Sequence, residues 1–87
     1  MPDVKRIQEG STFWTATIRY GHDFETIEDD YIAPDHVQNI AQGARVRLGR
    51  THDGSHLVHE VQVPRAALRS ESHVRQLATT ATDAVEA

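Results

Sequence analysis

The sequence predicts a small α+β domain made of two antiparallel β-hairpins, a short central helix and a C-terminal amphipathic helix, in the order ββαββα. Three observations carry this. STFWTATIRY (11–20) alternates in side-chain character with period two; Asp53-Gly54 separates two runs of alternating apolar residues; and Val74, Leu77, Ala78, Ala81 and Val85 recur at helical spacing.

The opening MPDVKRIQEG is rich in charge and reads as a polar N-terminal arm over residues 1–10, leaving 11–87 as a single domain. In STFWTATIRY, Trp14, Ala16, Ile18 and Tyr20 share one face, while Phe13, Thr15, Thr17 and Arg19 share the other. β-branched and aromatic residues in period two specify a strand. Gly21-His22-Asp23 supplies a turn, after which FETIEDDYI resumes as a second strand. A tight turn there sets Ile18 opposite Ile27 and Trp14 opposite Tyr31, a register that gathers apolar side chains. It also brings Asp29 beside Ala16, so the strand is expected to bulge or fray near Glu28-Asp29-Asp30.

APDHVQNIAQGA (33–44) reads as a helix of about two and a half turns. Pro34 suits its first turn, Asp35 the positive end of its dipole, and Gly43 a left-handed stop. Asp53-Gly54 then marks a two-residue type I′ hairpin turn, which pairs Val46 with Val61, Arg47 with Glu60 and Leu48 with His59. A three-residue loop would set Val46 against Glu60, and the pattern disfavours it. Pro64 ends the ladder because it has no N–H to donate. Ser70 or Ser72 caps a final helix running to about Ala84.

The chain of 87 residues has 38% hydrophobic and 6% aromatic residues, a thin core for which a stability of about 5 kcal/mol is a reasonable order. It contains no cysteine, which excludes disulfides, thiolate metal sites and cysteine nucleophiles. No apolar run approaches the ~18 residues of a membrane span, and a soluble cytoplasmic protein is expected. The net charge of −4 is unevenly spread. Residues 1–43 carry three cations and eight anions, whereas residues 44–78 carry six cations and three anions.

Catalysis finds no support: no Gly-x-Ser-x-Gly elbow and no phosphate-cradling glycine loop occur, and no cofactor or small-molecule substrate is implied. His52, His56 and His59, with Asp53 and Glu60, are suitable metal-ligand types. A strand, however, points His56 and His59 to opposite faces, so no metal site is assigned. The acidic group Glu25, Glu28, Asp29 and Asp30 lacks calcium-loop spacing and reads as a protected strand edge.

The expected function is therefore that of a non-enzymatic interaction module. It would self-associate or hold another protein through a sheet edge or through the C-terminal stripe Val74, Leu77, Ala78, Ala81 and Val85. The alternative is a DNA- or RNA-binding regulator using Arg45, Arg50, Arg65 and Arg69 on phosphates.

Overall fold

The computed structural model of the chain describes residues 3–21, 26–51, 53–67 and 70–86. Strands β1 (Asp3–Glu9) and β2 (Phe13–Arg19) form one hairpin, and β4 (Arg45–Arg50) and β5 (His56–Pro64) form another. β3 (Thr26–Ile32) adds to the outer side of β4, and β5 pairs with β2, giving a five-stranded antiparallel sheet in the order β1-β2-β5-β4-β3. The short α1 (Asp35–Gln38) precedes β4, and α2 (Glu71–Glu86) closes the chain.

The α+β class, two hairpins and the C-terminal helix are as the sequence predicts, but the first hairpin uses different strands. Residues 3–9, expected within a polar arm, are β1. The register slips between Val4 and Arg6, so Val4 faces Ile18 and Ile7 faces Ala16 although three positions separate the two. Both pack against the core. β2 does not meet β3. Trp14 and Ala16 instead lie opposite Val63 and Val61, and Tyr31 lies opposite Arg47. The alternation of β2 specified its buried face, while β5 offered valine partners that the polar β3 could not match. His22 and Asp23, the expected turn, lie outside the described residues.

The second hairpin keeps its expected pairs Val46↔Val61 and Arg47↔Glu60 by an unexpected route. Among the described loop residues only Gly54 has a positive φ, at 88°, and Thr51 and Ser55 close the loop: Thr51 N–H donates to Ser55 O at 3.0 Å and Gly54 N–H to Thr51 O at 3.1 Å. The loop is thus the three-residue form with glycine in the left-handed position. It pairs Leu48 with Val58 rather than His59. His59 is then the extra residue of a β-bulge, and the bulge restores Val46 to Val61. Asp53 caps the loop, accepting from Ser55 N–H at 3.0 Å and from the Thr51 hydroxyl. These bonds to its charged form hold the Asp53 carboxyl down at about 2.

The central helix is shorter than expected. Its regular part stops at Gln38, whose side chain turns back on the following loop, accepting from Gly43 N–H at 3.0 Å and donating to Ala44 O. Gly43 has φ 87°, and a Cβ there would stand 2.8 Å from Pro64 Cγ. Gly54 has nearly the same φ but open space. Gly54→Ala should therefore cost about 1 kcal/mol for the left-handed backbone alone, and Gly43→Ala about 1–2 kcal/mol more. Urea titration of both variants, and of Gly43→Ala combined with Pro64→Ala, checks this. Equal costs at the two glycines would contradict the Pro64 contact.

The main core cluster lies on one side of the sheet. Trp14, Ala16, Ile18, Val46, Val58, Val61 and Val63 face Val74, Leu77, Ala78 and Ala81 of α2, with Val37, Ala41 and Ala44 beside them. Tyr20 closes one margin by donating its hydroxyl to Val58 O at 2.6 Å. Ser70 is the residue that caps α2, its Oγ accepting from His73 N–H at 3.4 Å. Thr79, Thr80 and Thr82 donate to carbonyls four residues back, which satisfies the buried Thr82 hydroxyl. No helix among the described residues is long and apolar enough to cross a membrane.

Candidate binding face

In an antiparallel sheet, residues in register share a face, so the pairing defines what the side away from α2 presents. One row runs Arg6, Thr17, Glu60, Arg47, Tyr31 from β1 to β3. The next runs Gln8, Thr15, Gln62, Arg45. Phe13 lies beyond, opposite Pro64. Among the described residues both helices lie on the other side, and the members of these rows on the three inner strands are half-buried.

The side chains of this face form an ordered array. The Arg45 guanidinium sits 4.7 Å from the centroid of Phe13 and 4.7 Å from that of Tyr31, and its Nε donates to Gln62 Oε1 at 2.8 Å. A planar cation held between two rings is oriented by both quadrupoles. Arg47 lies 5.4 Å from the Tyr31 ring and makes a 2.6 Å ion pair with Glu60. The Tyr31 hydroxyl donates to the same Glu60 oxygen at 2.7 Å. Burial, and then the bond to Glu60, raise the Tyr31 phenol above its usual range, so it remains a neutral donor.

His59 enters this face through the bulge. Its imidazole is held below the ordinary histidine range, first by burial and then by the cations Arg47 and Lys5, against the opposing pull of Glu60. Lys5 is itself the extra residue in β1, so the two bulges bring adjoining charges together. The described cations on this side are Lys5, Arg6, Arg19, Arg45 and Arg47, against Asp3 and Glu60. Among the described residues, this face of a chain of net charge −4 thus carries an excess of positive charge.

The residues singled out from the sequence are distributed differently. Val74, Leu77, Ala78 and Ala81, expected as an interaction stripe, are 0–3% exposed and form the lid of the domain's own core. The valine-rich sheet needs that cover, and small helix residues let α2 approach closely. The Val85 side chain lies outside the described residues.

The four arginines proposed for phosphates do not gather. Arg45 is on the open face, whereas Arg50, an odd number of positions along β4, is on the other and lies 3.5 Å from His56 Nε2. Arg65 is tied to the β1–β2 turn by a 2.8 Å pair with Glu9 and a 3.3 Å bond to Ser11 O. Arg69 and His52 lie outside the described residues. Among the described residues, no three histidine, aspartate or glutamate side chains assemble a metal-ligand set.

Sequence reasoning missed Tyr31 and Arg6 as members of this face. Assigning Tyr31 to Trp14 sent it to the core side, and treating residues 1–10 as an arm removed Arg6 from the sheet. The signal for Phe13 was present, since the alternation already set it with Thr15 and Thr17. No family model, no curated protein and no solved structure matches this chain.

Proposed function

We propose that this chain is a non-catalytic binding domain that receives an anionic macromolecular partner on the open face of its sheet. The observation that carries this reading is the array Phe13, Arg45, Tyr31, Arg47, fixed by stacking and hydrogen bonds on a face whose described residues hold more cations than anions. Arginine and tyrosine held in fixed orientation are the residue types that dominate binding energy at interfaces, because little side-chain freedom remains to be lost.

Other surfaces offer less. The α2 stripe is internal. Both sheet edges are irregular, with register shifts between Val4 and Arg6 in β1 and between Ile27 and Tyr31 in β3. Such bulges blunt an edge against pairing with another strand. Self-association of two open faces would oppose like charges, which favours a partner of opposite sign.

The test is a heteronuclear NMR titration of the full chain with two polyanions, polyglutamate and a single-stranded oligonucleotide. Perturbations from at least one of them should centre on Thr15, Thr17, Tyr31, Arg45, Arg47 and Gln62. Perturbations centred on α2, or none from either polymer, would reject this assignment.

A further inference from the structure

Resting on that reading, we infer that the anionic partner is single-stranded nucleic acid, with phosphates on Lys5, Arg6 and Arg45 and bases against Phe13 and Tyr31. The face couples two chemistries in alternation. Guanidinium groups lie against aromatic rings at 4.7, 4.7 and 5.4 Å, so both arginines that β4 presents on this face, Arg45 and Arg47, adjoin a π surface. A nucleotide couples the same two elements, a phosphate and a flat base, at a fixed spacing. An acidic peptide offers the charge without the plane.

The groups between the cations support the same partner. Thr15, Thr17, Gln8 and Gln62 are neutral and supply both donors and acceptors, which suit base edges and sugar hydroxyls better than they suit carboxylates. Shape separates single strands from duplexes. Five strands at ~4.8 Å spacing make a surface roughly 19 Å across, broad enough for a few extended nucleotides, while a cylindrical duplex would touch a sheet only along a line.

Charge pairing sets the expected size of the ionic effect. Arg47 is paired with Glu60 and Arg19 with Asp3, whereas Lys5, Arg6 and Arg45 have no carboxylate partner among the described residues. Three phosphate contacts on a single strand give a slope of about −2 for log affinity against log salt concentration.

Fluorescence anisotropy with the full chain tests this, using labelled twelve-nucleotide oligo(dT) and oligo(rU), a duplex of equal length and labelled polyglutamate. The single strands should bind with a salt slope of about −2 and the duplex more weakly. Lys5→Gln with Arg6→Gln, both exposed positions, should lower affinity about tenfold and bring the slope to about −0.7. Arg45→Lys should keep the slope and still weaken binding several-fold, because the charge stays and the stacked plane is lost. Trp14 fluorescence, from a core residue 8% exposed, verifies that each variant is folded.

Equal binding of duplex and single strand, or variants indistinguishable from the parent, would overturn the inference. Binding of polyglutamate but not of the oligonucleotides would overturn it too, while leaving the open face as a binding surface. Binding of neither polymer would remove both readings.

Discussion

Removing residues 70–87 will unfold the sheet and leave no cooperative transition. Val74, Ala78 and Ala81 are fully buried and Leu77 is 3% exposed, and they cover Trp14, Ile18, Val61 and Val63. Taking a valine or leucine out of water contributes about 1.5–3 kcal/mol each, which two such losses would raise to the whole stability of a domain of this size, about 5 kcal/mol. A graded version keeps the backbone: Leu77→Ala should cost about 2–5 kcal/mol, depending on how far the neighbouring alanines close the void. Near-ultraviolet circular dichroism of Trp14 and urea titration read both changes. A truncated chain that kept its urea transition and changed only in mass would instead make the helix an intermolecular surface.

That contrast shows where sequence patterning was informative and where it stopped. The period-two run from Trp14 to Ile18 identified a buried face and the helical stripe from Val74 to Ala81 an apolar one, and both are buried within the domain. Patterning reports which side of an element is dry; it does not report what lies against it. The α2 stripe was therefore assigned to an interface although it covers the domain's own sheet, and β2 was joined to the wrong neighbour.

Bulges concealed the rest. Val4 and Ile7 stand three apart, as do Val58 and Val61, yet each pair packs against or within the core. The extra residues Lys5 and His59 change the parity between them. A three-residue spacing hides a strand from any search for strict alternation, which is why residues 3–9 read as an arm. The same parity change allowed the hairpin to take its three-residue loop without turning Val46 against Glu60. Of the candidate face, Arg47 with Glu60 and the Phe13, Thr15, Thr17 side of β2 were legible, whereas Arg6, Gln8 and Tyr31 were not, since β1 and β3 have partners that only the fold defines.

Arg47→Ala will destabilise the domain by about 2 kcal/mol, more than a half-buried place on an open sheet face suggests. The Glu60 side chain is 15% exposed and that of Arg47 28%, so removal strands a largely desolvated carboxylate whose remaining partner in this array is the Tyr31 hydroxyl. An unsatisfied polar group of this kind costs about 1–3 kcal/mol, less than the ~3–5 kcal/mol of a fully buried pair because water still reaches the rim. Removing both charges behaves differently. Arg47→Met with Glu60→Leu should fall within about 1 kcal/mol of the parent, since the two desolvation costs vanish together. Thermal or urea unfolding of the two singles and the double closes the cycle, and additive costs would mean that the 2.6 Å pair contributes nothing. Tyr31 supplies an independent readout. Its phenol is raised by burial and by Glu60, so Glu60→Gln should move its titration, followed by absorbance at high pH, down toward the ordinary tyrosine value without reaching it, because burial persists. A titration that did not move would mean that burial alone sets the phenol, and that Glu60 does not anchor the ring on which Arg45 and Arg47 lie.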